Sequence, residues 1–296
     1  MKKIIHTILS VMTVCTLVIC NFINVEAYSK GTYKLNCDMT VRKSASKSSK
    51  AVGYLKKGRV IKVKSVKNKK WGQITYNSKT AYVSLKYSTK VSTTVNVSNI
   101  NTLTAAKTSD NIIIVSTSSK TSTSCTFKYY KKTSGKWKEV YSCNGYVGEK
   151  GIGKAKEGVA RTPVGIYHFT YLMGIKAKPG DTKMSYHQID KNDYWCGGKY
   201  YNKFIDEDHH SHKGCSKKND ERLYYCGTAY HYLAAFDYNK NCVKGAGSAF
   251  FLHCTFGMTY TGGCVAIPKS IMKKMITSID KNTVMIIDTK SNIINY

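Results

Sequence analysis

Gly247-Ser248-Ala249-Phe250-Phe251-Leu252-His253, followed by Thr261-Gly262-Gly263-Cys264-Val265-Ala266-Ile267-Pro268, is the stretch on which the reading of this chain turns. An apolar run of strand character delivers a histidine at its end, and 11 residues later a cysteine emerges from a Gly-Gly turn. A free thiol is mostly protonated at neutral pH, so a cysteine nucleophile needs a nearby imidazole to take its proton. His253 is placed to do that and to return the proton to a leaving amine. Glycines before the cysteine let backbone amides turn toward an attacked carbonyl, and the N–H groups of Gly263 and Cys264 are the candidates for such an oxyanion hole. Taken singly, His253 reads equally well as a hydrogen-bonded core histidine, and Cys264 as a buried or bridged cysteine.

The pattern extends well beyond this pair. Upstream stand Gly148-Glu149-Lys150-Gly151-Ile152-Gly153-Lys154, Lys156-Glu157-Gly158, and Arg161-Thr162-Pro163-Val164-Gly165-Ile166-Tyr167. Tyr194-Trp195, Tyr200-Tyr201-Asn202 and Glu221-Arg222-Leu223 follow. With Phe-Leu-His and Gly-Cys-Val-Ala-Ile-Pro, these segments resemble the L,D-transpeptidase catalytic domain from about residue 111 to residue 288. The resemblance implies a β-rich sandwich domain, a Cys264 nucleophile with His253 as base, and a substrate-side loop in which Tyr194, Trp195 and Tyr201 line the cleft. It further implies peptidoglycan stem peptides as substrates and neither metal nor cofactor, because the sulfur supplies the covalent step. Two departures stand out: the commonest motif has a second His before Gly-Cys and an Arg or Asn two residues after it, where this chain has Gly262 and Ala266. The orientation of His253 and the recognition of a peptide carboxylate therefore do not carry over.

A second constellation, His209, His210, His212 and Cys215, has residue types that ligate zinc. Its surroundings, Asp206-Glu207-Asp208 and Ser216-Lys217-Lys218-Asn219-Asp220, read as a polar loop with no strand delivering the histidines. No metal is expected there, and a disulfide from Cys215 to Cys226 or Cys196 is the plainer reading. Cys125 and Cys143 sit at similar distances from the Thr133-Ser134-Gly135-Lys136 turn and form another candidate bridge.

Other strands are expected at Ile112–Ser116, Cys125–Lys132, Trp137–Val147, Gly165–Thr170, Leu233–Tyr238, Ala249–Leu252 and Thr283–Ile287. One helix is expected at Lys269–Ile279, where Ile271, Met275, Ile276 and Ile279 recur at helical spacing behind Pro268. A mainly β domain with one or two short helices follows, with residues 289–296 as a tail.

Residues 28–92 have a different texture. Met39-Thr40-Val41-Arg42, Val52-Gly53-Tyr54-Leu55-Lys56-Lys57-Gly58, Trp71-Gly72-Gln73-Ile74 and Thr80-Ala81-Tyr82-Val83 come in the order of a bacterial SH3-like barrel, which this segment resembles, with Ala81 where that family usually has Gly. The segment holds 17 Lys and Arg against the single Asp38. Residues 93–110, rich in Ser, Thr and Asn, read as a linker.

At the start, Lys2 and Lys3 precede an apolar run, and Val25-Glu26-Ala27 supplies a small-residue cleavage pattern, so residues 1–27 read as a signal peptide. Retained, the segment Ile4 to Ile23 is nearly long enough to span a bilayer and would tether the chain to a membrane. A net charge of +30 calls for an anionic partner. Export makes nucleic acid a poor one, and anionic cell-wall polymers meeting the basic SH3-like segment a better one. Removal of residues 1–27 leaves nine of the 11 cysteines, an odd number that points to an unpaired thiol. The expectation is a secreted, wall-associated enzyme that cross-links stem peptides. Alternatives are an L,D-carboxypeptidase, a cysteine peptidase on stem peptides, or a non-catalytic wall-binding protein.

Overall fold

A computed structural model of the protein describes residues 28–91, 96, 99–211, 213 and 219–296. The expected signal peptide, the first part of the expected linker, His212 and Cys215 lie outside the described residues.

The basic segment folds as two small antiparallel sheets. One runs in the order Ala51–Leu55, Met39–Arg42, Lys79–Ser84, Trp71–Tyr76, Ser65–Lys67, and the other places Gly31–Leu35 between Val60–Val63 and Ser88–Val91. Asn77 and Ser78, with φ of 46° and 61°, make the two-residue turn that pairs Tyr76 with Lys79. Positive φ at both positions matches the twist of the flanking strands. Burial alternates along the strands, so Leu35, Val41, Val63, Ile74, Val83 and Leu85 meet in one core while the lysines point outward. Ala81 joins that core, its methyl buried.

The larger unit is mainly β, as expected, with one α-helix, Lys269–Ser278, behind Pro268. Its sheet runs Tyr186–Gln188, Gly165–Gly174, Leu233–Phe236, Phe251–Cys254, Val265–Ile267, Lys136–Tyr146, Ser124–Thr133, Asn111–Thr117, Val284–Thr289. The first half of the long Gly165–Gly174 strand also pairs with Val284–Thr289, so the sheet closes on itself and loses its free edges there. Asn111–Thr117 is buried along its whole length because a neighbour flanks each side and a core covers each face. Phe127, Leu252, Val265, Ile267 and Met285 fill the inside, capped by Met272, Met275 and Ile276 of the helix.

A second core covers the outer face. Ile100 and Leu103, from the 3-10 turns Ile100–Thr102 and Thr104–Lys107, are fully buried against Ile112, Ile114, Ile286 and Trp137. Each such side chain contributes roughly 1.5–3 kcal/mol on burial, which draws the end of the Ser/Thr-rich stretch and the Ile293–Asn295 turn of the C-terminal tail onto the sheet. Val60 of the basic segment belongs to the same cluster, and its N–H donates to Asn295 Oδ1 at 3.2 Å. Among the described residues no helix is long and apolar enough to cross a membrane.

The Cys125–Cys143 bridge is not formed. Cys125 stands opposite Gly145 and Cys143 opposite Phe127, a diagonal placement, and both thiols are free. Cys196 is disulfide-bonded, whereas Cys226, the other partner considered for Cys215, is free.

Candidate active site

Phe251–Cys254 and Val265–Ile267 are parallel neighbours, with Leu252 opposite Val265 and His253 opposite Ala266. Successive side chains on a strand alternate faces. Leu252, Cys254, Val265 and Ile267 therefore enter the main core, while Phe251, His253 and Cys264 face the other way. There His253 and Cys264 line one cavity of about 390 Å³, together with Gly263, Glu221, Cys226 and Tyr230.

The strand expected at Ala249 begins instead at Phe251, because Ala249 adopts a φ of +58°. An alanine in the left-handed region is held there by its surroundings. The consequence is local to the thiol: Cys264 Sγ donates to Ala249 O at 3.3 Å and accepts from Phe251 N–H at 3.3 Å. The carbonyl of Cys264 is fixed by two buried hydroxyls, Thr261 Oγ1 at 2.7 Å and Thr162 Oγ1 at 3.1 Å. Gly263 sits at φ +144°, and a Cβ on it would lie 2.8 Å from Phe250, which explains the glycine. Its N–H, one of the two oxyanion-hole candidates, donates to Thr261 Oγ1 at 3.1 Å in this state and is not free to receive a carbonyl.

His253 is 3% exposed. Its Nδ1 meets Cys254 O at 2.9 Å, and since a carbonyl only accepts, Nδ1 carries the proton and Nε2 keeps the lone pair. A backbone carbonyl thus sets the tautomer, as a carboxylate does in Ser-His-Asp triads. Burial pulls the imidazole pKa down to about 4, against a smaller upward pull from that carbonyl. Burial also pushes the Cys264 thiol far above its ordinary range, reinforced by the nearby Glu221 carboxylate and opposed by the Phe251 N–H. Burial thus favours the neutral form of both the thiol and the imidazole on this cavity.

Tyr194, Trp195 and Tyr201, expected to line the cleft, are buried and do not border this cavity. Their flat rings are packing material: Trp195 stands edge-on to Phe251 at 4.9 Å between ring centres, and Arg222 lies over Tyr194. They act from behind the wall. Trp195 Nε1–H donates to Asn202 Oδ1 at 3.0 Å, and the same oxygen accepts from Ala249 N–H at 3.2 Å, so Asn202 braces the strained turn that presents a carbonyl to Cys264. Tyr201 O–H donates to Glu157 and accepts from Gly247 N–H at 3.0 Å, steadying the same turn two residues earlier.

Reading by residue type missed Glu221, Cys226 and Tyr230 as cavity residues. Glu221-Arg222-Leu223 carries no chemical signal of its own in the sequence, where an isolated Glu usually marks a solvated face. Here Glu221 Oε1 accepts from Tyr230 O–H and from Cys226 Sγ at 3.7 Å. Burial raises the Glu221 carboxyl, against the pull of those two donors, and pushes Cys226 up to about 12.

Elsewhere, His187, Asp193 and Asp206 bring ligand-type atoms within 4.8 Å of one another. His187 Nε2 already engages Asp193 Oδ2 at 2.7 Å, and His209 Nδ1 engages Asp206 Oδ2 at 2.7 Å, which raises both imidazoles through these hydrogen bonds. Of the described residues of the His209, His210, His212, Cys215 set, His209 reaches this cluster through Asp206.

The family model for the bacterial SH3 domain matches residues 38–89. Residues 38–89 form a bacterial SH3 domain. No curated protein matches the chain. Among solved structures, the chain is similar to Bd1075 of Bdellovibrio bacteriovorus, at 14% identity over 62% of this chain and 49% of that one, with a TM-score of 0.34. It is also similar to the helical cell shape determining protein Pgp2 of Campylobacter jejuni, at 18% identity over 63% of this chain and 53% of that one, with a TM-score of 0.33. The chain spans about half the length of each.

Proposed function

We propose that the protein is a secreted, cell-wall-associated L,D-transpeptidase in which Cys264 forms a thioester with a peptidoglycan stem peptide. The observation that carries this reading is the shared cavity: a buried thiol and an imidazole with a free Nε2 lie on one face of two parallel strands and open onto the same space. Because both groups rest neutral, the proton leaves Sγ as the sulfur attacks, with His253 Nε2 as its acceptor. The attacked carbonyl is that of the L-centre at residue three of the donor stem. His253 then gives the proton to the departing D-residue's amine, leaving the thioester. An amine of a neighbouring stem attacks that thioester, the thiol is regenerated, and a bond joins an L-centre to a D-centre. The SH3 domain, basic on its surface, supports attachment to anionic wall polymers.

Intact-protein mass spectrometry after incubation with a tetrapeptide-stem muropeptide tests the reading. The expected result is an adduct on Cys264, its mass that of the stem without its terminal residue, absent from Cys264→Ala. Cross-linking that survives Cys264→Ala would overturn it, and release of the terminal residue with no transfer product would make the enzyme a carboxypeptidase.

A further inference from the structure

We infer that Glu221 makes the cavity beside Cys264 a subsite for a primary ammonium group carried by the substrate, and that this cation relieves the sulfur of a neighbouring negative charge. The inference rests on the proposed role of Cys264 as nucleophile.

Glu221 belongs to the short strand Glu221–Arg222, which pairs with Tyr194 and Trp195 and hands the chain to the segment Leu223–Tyr230 over the cavity. Its carboxyl borders the same space as the thiol. The donors that reach it, Tyr230 O–H and Cys226 S–H, are both neutral. Among the described residues no Lys, Arg or His forms an ion pair with it. Arg222, adjacent in sequence, is committed elsewhere, its guanidinium 4.0 Å from the centre of the Tyr225 ring. Of the 47 Lys and Arg in the chain, none borders the cavity among the described residues, and the one basic group that does, His253, is held neutral by burial.

A carboxylate left in this position has a cost, because an ionised group away from water needs a countercharge. It also opposes chemistry next door, since attack requires negative charge to develop on Sγ. A ligand ammonium entering the cavity removes both difficulties at once. The rings of Tyr230, Phe250 and Phe256 around the same space offer faces that favour a cation further.

The test uses three thiol reagents on the full chain at mildly alkaline pH: 2-aminoethyl and 2-sulfonatoethyl methanethiosulfonate, which share a two-carbon arm and differ in charge, and the uncharged methyl reagent. Peptide mapping follows labelling at Cys264 separately from Cys226, and each rate is normalised to that with free cysteine. The cationic reagent is expected to label Cys264 at least about tenfold faster than the anionic one, the size of a modest charge–charge preference. Glu221→Gln should abolish the preference, and Tyr230→Phe, which keeps the carboxyl, should retain it. n-Butylammonium should slow labelling by the methyl reagent in the wild-type chain while n-butanol does not, a readout independent of how any variant folds. Equal rates for the three reagents, a preference that survives Glu221→Gln, or no protection by n-butylammonium would overturn the inference. These reagents require only a reactive thiol. Failure here leaves the acyl-transfer reading standing, and a stem peptide that forms no thioester leaves this subsite standing.

Discussion

The SH3 domain and the Cys264 cavity distribute charge in opposite ways. In the domain the lysines lie outside a core of hydrophobic side chains, and its lone acid, Asp38, meets Lys56 at 2.9 Å on the exposed surface. Around the cavity the ionisable groups are inside: a thiol, an imidazole, a carboxyl and a second thiol face one another with no cation on the lining among the described residues. A charged surface costs a fold little and sets what it approaches at long range. An ionisable interior is costly, so burial shifts each of these groups towards its neutral form and leaves any charge that remains without a countercharge on the lining.

The sharpest way to break this contrast is to remove the base. His253→Ala should slow Cys264 thioester formation by roughly 10²–10⁴-fold, the usual worth of a positioned proton acceptor, measured as the rate of adduct appearance. A near-wild-type rate would mean that the sulfur loses its proton elsewhere.

Acid offers the next largest effect. The folded pKa of His253, about 4, lies below its ordinary 6.5, so the neutral form is the one the fold favours. Its stabilising contribution is whole above pH 6.5 and is lost as pH falls through about 4, up to about 3 kcal/mol. Urea midpoints taken down that range should fall more steeply for the wild type than for His253→Gln. Parallel slopes would show that His253 is not a buried neutral base.

The smallest effect belongs to the surface. Lys56→Ala removes the exposed Lys56–Asp38 pair and should leave the melting temperature unchanged within error. A clear drop would show that the domain depends on surface charge after all.

Much of this was legible from residues alone. The order of Val41, Leu55, Trp71 and Val83 marked the SH3 domain because each position has its own packing duty in a small barrel. The helix ends at Ser278 rather than Ile279, and the hairpin turn falls at Ser134-Gly135 as its residue types require. His253 and Cys264 could be read as a pair because the glycine turn and the apolar runs are local features. What was not legible is what depends on distant segments meeting. Trp195 and Tyr201 have the composition of a ligand platform, and only the fold shows their rings packed behind the wall with Asn202 as the joint. Glu221 stands 43 residues before Cys264, and no periodicity announces that the intervening chain brings the two onto one cavity.

The Val60 contact with Asn295 and the cluster beneath it has a bearing on reach. Val60 packs the basic domain against the outer core of the larger unit, so the two are joined by a packed contact as well as by the chain between them. On the proposed acyl-transfer reading, a wall polymer held by the basic domain meets Cys264 at a distance bounded by this contact, much as a gauge block fixes a spacing.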